Sequence, residues 1–417
     1  MKPGQKLLNN AMLYTIAGGL GRGLPFLLIP VLTTYLSVDD YGRFGLLTTL
    51  IGLITIVIGL NPHLFIISHF FRLERSALSL RVFNIFILGV ITLIPICLMY
   101  WVFQSYIMQS LFGFEMFLLA ITVAFNRFLG NLLLSIVQME SRADLFFYYY
   151  FCMSFVVAAA VIIAAIVGEL YWTTMVAFEG GVTVIINIIL IHRMFKLGFI
   201  TPRFDNESFK DVTVFSAPLL LHVMSLWVIG YADRFILAEL TDISSVGVYT
   251  LVSTLGLGFS LLHESAFRAL QPVIFKHLNE VDSQSEVVGY IWRYYALSVI
   301  AGVLYTILVI EGMKYYLDSS YSGAITIFPI VILGYFFLGL YRVVAVFLYH
   351  NKDTAWLTRI SFVIAAFSII LNLILVPKFG LTGTAIAMMI SFGCLFVLVK
   401  MLITKLYKIS WFRLKLV

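Results

Sequence analysis

Arg22 and Arg127 stand near the middle of long apolar stretches, and no other feature of the chain points so directly to chemistry. An arginine at the bilayer centre costs about 2.5–3.5 kcal/mol on insertion scales, so a chain that keeps one turns it toward a protein-lined, wet interior. Guanidinium presents a planar fork of donors that grips carboxylate or phosphate oxygens in pairs. The two residues therefore point to an anionic ligand. Gly18, Gly19, Gly21, Gly23 and Pro25 surround Arg22, and such a run weakens a helix and lets it bend. Asn126 and Asn131 accompany Arg127. The competing reading for both arginines is an ion pair with an acid on another segment. Arg342 and Arg234 are weaker members of the set, because each falls near a segment end where a long side chain can reach headgroups.

Two glutamates lie well inside apolar segments. Arg268 follows Glu264 at the i, i+4 spacing of a helical salt bridge. Glu179 precedes Gly180 and Gly181 and has no cation close by in the sequence. A carboxylate that parts from its cation in a dry site takes up a proton. Glu264 with Arg268, then Glu179 and Asp233, are therefore the candidates for coupling to an ion gradient. His63, His222 and His263 titrate in the same range, but a single histidine on a polar face is more often simply hydrogen-bonded. The three cysteines, Cys97, Cys152 and Cys394, fall inside apolar segments and read as small buried hydrophobes. No hydrolase triad, nucleotide-binding loop, disulfide framework or metal spacing is visible, so no catalytic or metal-binding residue is assigned.

The elements that carry these residues follow from composition. Hydrophobic residues make up 61% of 417 and charged residues 12%, with mean hydropathy +1.02. Soluble domains are about 45–50% apolar and about 25% charged. A spanning helix needs roughly 20 apolar residues, and the runs here are continuous rather than alternating, which selects helices over a barrel. Twelve spans result: 10–35, 45–67, 82–103, 116–138, 145–167, 172–191, 213–238, 248–272, 290–310, 325–348, 356–376 and 382–404. Lys and Arg crowd alternate connections: Lys2 and Lys6, then Arg72, Arg75 and Arg81, then Arg193, Lys196, Arg203 and Lys210, and finally the tail from Lys400 to Lys415. The opposite connections hold only Arg43, Lys314 and Lys378. The positive-inside rule then places both termini in the cytoplasm. The net charge of +6 concerns the membrane surface and not nucleic acid.

The longest connection divides the chain into an N-terminal six-helix lobe (1–196), a cytoplasmic linker (197–212), a C-terminal six-helix lobe (213–404) and a basic cytoplasmic tail (405–417). The halves resemble each other at an offset of 205 residues: Gly42 matches Gly247, Thr48 matches Ser253, Thr55 matches Ser260, and His63 matches Arg268. Six spans per half is even, so both halves enter from one side and form a parallel repeat. Polar stripes at helical spacing accompany the repeat: Thr48, Gly52, Thr55, Gly59 and His63; Arg127, Asn131, Ser135 and Gln138; His222, Ser225 and Asp233; Ser253, Gly256, Ser260 and Glu264. Stripes of small residues favour close helix packing, and stripes with Arg or Glu favour a cavity.

Three motifs carry a family likeness. Asp40-Tyr41-Gly42-Arg43-Phe44 opens the second span, and Asp233-Arg234-Phe235-Ile236-Leu237 closes the seventh, with Val246-Gly247-Val248-Tyr249 soon after. Asn372, Pro377, Phe379, Gly380, Gly383, Ala385 and Ala387 join the last two. The chain resembles the polysaccharide branch of the MOP exporter superfamily, and within it the Wzx-type O-antigen flippases. That resemblance implies an all-α polytopic fold of two six-helix lobes around a central cavity. It implies movement of an undecaprenyl-pyrophosphate-linked oligosaccharide across a bacterial inner membrane by alternating access. No cofactor is expected, and with no ATP-binding motif visible, turnover is expected to draw on a proton or sodium gradient or on consumption of the flipped product. Arg22, Arg127, Arg342, Arg234 and Asn131 become the expected substrate-binding set. Membrane lipids, a polysaccharide polymerase and a chain-length regulator become the expected partners. The related lipid II flippase has fourteen spans. Drug-exporting relatives carry an acid in the first span, where this chain has Arg22. An integral-membrane polymerase or ligase would use arginines on a large periplasmic loop, and the loops here are short and poor in basic residues.

Overall fold

Apolar runs in lipid must satisfy their backbone hydrogen bonds internally, and every regular element among the described residues is a helix. The structure is a computed structural model; it describes residues 13, 16–17, 19, 23, 26, 28–103, 113–278, 284–351 and 353–411. In chain order the helices are α1 (Val38–Val57), α2 (His63–His69), α3 (Arg75–Phe103), α4 (Phe114–Met139), α5 (Ala143–Val167), α6 (Thr174–Lys196), α7 (Asn206–Tyr231), α8 (Asp233–Leu240), α9 (Ile243–Leu278), α10 (Gln284–Tyr316), α11 (Gly323–His350) and α12 (Thr354–Tyr407). Among the described residues, ten helical stretches are long and apolar enough to cross a membrane. Within α12 the backbone departs from helix at Gly380 (φ 52, ψ −130), so this element contains the last two expected spans. Of the first expected span, residues 28–35 are described as helix; Arg22 lies outside the described residues.

Two expected spans are interrupted. After α1 the chain makes a short 3₁₀ turn, Ile58–Leu60, and Gly59, Leu60 and Asn61 all adopt left-handed backbone (φ 64, 59 and 58) before Pro62 starts α2. The polar stripe through Gly59 and His63 is therefore not carried by one continuous helix. The seventh span likewise breaks at Ala232, which separates α7 from α8. Cys97 and Cys152 are exposed rather than buried. The outward faces of α3 and α5 are apolar throughout, with Ile94, Leu98, Phe155 and Ile163 also exposed, so a cysteine there is one more apolar group on a lipid-compatible face.

Contacts divide the chain into two compact units: Met1–Leu36 with Arg43–Met224, and Ser37–Gly42 with Ser225–Val417. The expected linker, 197–212, belongs to the first unit and is tied to the start of α3. Arg75 donates to the Leu197 carbonyl (2.6 Å), Ser79 and Thr201 share a hydrogen bond (2.7 Å), and Arg81 pairs with Asp211 (2.6 Å). Asp205 caps α7 by accepting the Ser208 N–H (2.8 Å). The Ser208 hydroxyl and N–H hold the Asp205 carboxyl below the usual carboxylate range.

In the second unit the opening of α1 packs on the opening of α9, and this contact carries the internal repeat. Ser37 caps α1 and exchanges hydrogen bonds with Asp40; Asp242 caps α9 and exchanges them with Ser245. In both, the cap side chain accepts the N–H three residues on, and the two caps lie 205 residues apart. Gly42 abuts the Ile243 carbonyl, and Gly247 abuts the Val38 carbonyl. Each glycine thus meets the residue equivalent to the one its counterpart meets, as in an isologous contact.

Candidate functional site

α4 organises the polar interior of the first unit. Its face toward α6 combines small and polar residues, and Gly130 lets the Tyr149 hydroxyl of α5 come so close that a Cβ would overlap it. Asn187 on α6 donates to the Asn126 carbonyl (2.8 Å), and Thr183 donates to the Glu179 carbonyl (2.7 Å). Beside them Arg127 and Glu179 form a two-pronged ion pair: Nε to Oε1 at 2.5 Å and Nη2 to Oε2 at 2.8 Å. Arg127 thus makes the ion pair with an acid on another segment that was its competing reading, and Glu179, with no cation near it in the sequence, is the acid. Its partner comes from α4, one packed helix away, and so is invisible to local spacing. The pair is reachable from outside the protein, since the Arg127 side chain is 32% exposed and Glu179 is 11% exposed.

One turn beyond Arg127, Asn131 lines a small cleft with Thr55, Asn61, Pro62, His63, Phe128 and Leu132. The break after α1 shapes this cleft. Gly59 donates its N–H to the Thr92 hydroxyl of α3 (2.9 Å) and lies against Phe128, where a Cβ would come within 2.5 Å of the ring. Gly89 of α3 seats the same ring. The sequence names Thr55, His63 and Asn131 through their stripes but not Asn61. Its signal is the dipeptide Asn61-Pro62, a turn pair placed in the middle of an apolar run.

The remaining candidates lie in the second unit. Arg234 does not snorkel. It is buried, with its guanidinium 5.1 Å from the Tyr231 ring and 5.4 Å from the Tyr249 ring, and it donates to the Gly230 carbonyl (3.2 Å). Asp233 beside it accepts a hydrogen bond from the Tyr249 hydroxyl. The break at Ala232 turns both side chains inward, and aromatic rings replace the headgroups that the sequence suggested. Arg342 is half-buried on α11 and donates to the Ser260 carbonyl of α9 (3.4 Å). Glu264 and Arg268 form the i, i+4 pair (2.5 Å) with Arg268 68% exposed. Ser253, Gly256 and Ser260 are buried, and Gly256 makes room for Tyr335 of α11, so this stripe packs helices. Among the described residues no group of three His, Cys, Asp or Glu side chains is placed to hold a metal ion.

The helical fold that carries these two groups of residues is matched by known structures. The fold matches a lipid II flippase, MurJ, in an inward closed conformation, with a TM-score of 0.72 at 14% identity over 94% of this chain and 87% of that one. It also matches an inward-facing multidrug resistance MATE transporter of the MOP superfamily, with a TM-score of 0.68 at 14% identity over 95% and 96% of the two chains. These structures are of transporters, not enzymes. Residues 7–278 match the family model described as polysaccharide biosynthesis protein, and the chain belongs to that family. A curated relative, Lsg locus putative protein 1 of Haemophilus influenzae, is 22% identical over 286 residues, covering 66% of this chain and 67% of that protein.

Proposed function

We propose that this protein is a flippase for a lipid-linked oligosaccharide. Its cargo is an undecaprenyl-pyrophosphate-linked O-antigen repeat unit, moved from the inner to the outer leaflet of a bacterial inner membrane by alternating access. Membership of a polysaccharide biosynthesis family and the fold shared with a lipid II flippase support the class. The observation that carries the finer reading is the fork between Arg127 and Glu179. A carboxylate presents two oxygens to guanidinium in the same planar manner as a phosphate, so Glu179 holds Arg127 in the geometry that a pyrophosphate would use. Cargo and carboxylate compete for one cation. When the pyrophosphate takes Arg127, Glu179 loses its partner, and when the cargo leaves, Glu179 reclaims Arg127. Glu179 thereby joins Glu264 as a candidate for coupling transport to an ion gradient. Arg22 supplies a second cation from the first span. Both termini face the cytoplasm, and a polymerase and chain-length regulator take over the cargo on the far side.

Complementation in the host lacking this gene tests the reading. Arg22→Ala and Arg127→Ala should each abolish surface display of the polysaccharide at normal protein abundance. Arg127→Lys should restore only part of it, because the bidentate fork is lost. Full complementation by both alanine variants would refute the cationic-grip reading.

A further inference from the structure

In the second unit, the segment after α12 closes around a lysine. Lys400 stands about two turns before the end of α12 at Tyr407. Lys408 then adopts left-handed backbone (φ 50), which turns the chain back. Ile409 and Trp411 are buried as a result. Two hydrogen bonds fix the turn. The Trp292 indole of α10 donates to the Trp411 carbonyl (2.9 Å), and the Trp411 indole donates to the Thr404 hydroxyl (2.6 Å). The Lys400 ammonium lies 4.8 Å from the centre of the Trp411 ring, 5.5 Å from Trp292, 5.7 Å from Phe396 and 6.0 Å from Tyr295.

Aromatic faces attract a cation but give it no lone pairs to bond with. An ammonium has three N–H donors, and Lys400, half-buried, makes no hydrogen bond or ion pair with another described residue. Both indole N–H groups are already engaged, so the cage holds its own shape and the ammonium is left to bind an outside group. The surroundings define that group. Tryptophan and tyrosine at the end of an apolar span mark headgroup depth. From Lys400 onward the chain has Lys405, Lys408, Arg413 and Lys415 and no acidic residue. Asp353, which accepts from the Tyr407 hydroxyl (2.6 Å), is occupied. An anion is therefore favoured over the amine or choline of a zwitterionic headgroup. Beside Lys400, α12 exposes Val397, Leu398 and Met401, an apolar surface that suits acyl chains and gives a free phosphate nothing to hold.

We propose that Lys400 and its aromatic cage form a binding site for the phosphate of an anionic phospholipid headgroup. The ammonium bonds the phosphate oxygens, the four rings hold the ammonium in place, and the acyl chains lie along the exposed face of α12. The site stands apart from Arg127 and Glu179 and does not depend on what the protein carries.

Native mass spectrometry of the full-length protein in detergent tests this, with phosphatidylglycerol and phosphatidylcholine as paired probes. Wild-type protein should hold phosphatidylglycerol more tightly than phosphatidylcholine. Lys400→Met keeps an unbranched side chain in the cage and removes the charge. It should lose about five-fold in affinity for phosphatidylglycerol, the worth of one lysine beside an anionic headgroup, and none for phosphatidylcholine. Lys400→Gln, neutral but polar, should show the same loss, and serves if Lys400→Met does not fold. Lys405→Met removes one exposed charge from the same helix end and should bind both lipids as wild type does. Retained affinity in either Lys400 variant overturns the site. So does an equal loss in Lys405→Met, which would mean general attraction to a basic segment, and so does wild-type protein that holds the two lipids equally. Inorganic phosphate, or undecaprenyl pyrophosphate at equal concentration, should not displace phosphatidylglycerol. Displacement by the first would make this a free-phosphate site and by the second a cargo site, and either overturns the phospholipid assignment.

Discussion

Arg127 and Glu179 are the residues whose removal tells most. Deleting one partner of a buried ion pair leaves an uncompensated charge and costs about 3–5 kcal/mol when both are fully buried. Here Arg127 is 32% exposed, and solvent screening reduces the expected loss for Glu179→Gln to about 1–2 kcal/mol. Replacing both residues by Gln should cost less than the two single replacements added together, with a coupling of about 1–2 kcal/mol in a double-mutant cycle. Unfolding of purified protein in detergent measures all three variants; strictly additive losses would show that the pair contributes nothing as a pair. The same residues show what a sequence can disclose about a site. Glu264–Arg268 is readable because both partners sit on one helix four positions apart. Arg127–Glu179 joins residues 52 positions apart, and only the packing of α4 on α6 reveals it. Arg234 was legible as a membrane arginine but not as a buried one, since its aromatic partners are set by the break at Ala232.

At the level of elements, glycine decides where helices meet. Gly59 needs both its positive φ of 64 and its bare Cα against Phe128. Gly59→Ala should combine a backbone cost of about 1–2 kcal/mol with an overpacking cost of about 1–3 kcal/mol. Gly89→Ala meets the same ring from a regular helix and should show the overpacking cost alone. A thermal shift no larger for Gly59→Ala than for Gly89→Ala would mean that the left-handed turn relaxes without strain. The internal repeat was legible down to its offset, because Gly42 and Gly247 stand at equivalent places before equivalent polar residues. Its physical content is the matched pair of side-chain caps and the reciprocal seating of each glycine on the other helix's first carbonyl. The break in the second expected span was not legible from periodicity, since Thr55, Gly59 and His63 keep helical spacing on both sides of it; only Asn61-Pro62 marks the place.

At the level of the whole molecule, the membrane orientation orders everything else, because a flippase has a loading side and a delivery side. Alternate connections differ sharply in Lys and Arg, and short loops rich in these residues stay in the cytoplasm. The end of α6, the connection that follows and the start of α7 carry Arg193, Lys196, Arg203 and Lys210, while the connection between α5 and α6 carries Glu169 and no basic residue. Glu169 and Glu207 are both exposed, so single cysteines introduced there report on opposite faces without disturbing a core. The native Cys97, Cys152 and Cys394 are first replaced by serine; two of them are exposed and would give background. In intact cells with a permeabilised outer membrane, Glu169→Cys should react with a membrane-impermeant maleimide and Glu207→Cys should not. After the inner membrane is opened, Glu207→Cys should react as well. The reverse pattern would invert the protein and set the Arg75, Arg81 and linker cluster on the delivery side. Labelling of both positions in intact cells would place an even number of crossings between Glu169 and Glu207 and break the parallel repeat. The expected pattern leaves the two halves entering from the cytoplasm, with the basic connections beside the leaflet where the anionic cargo is loaded.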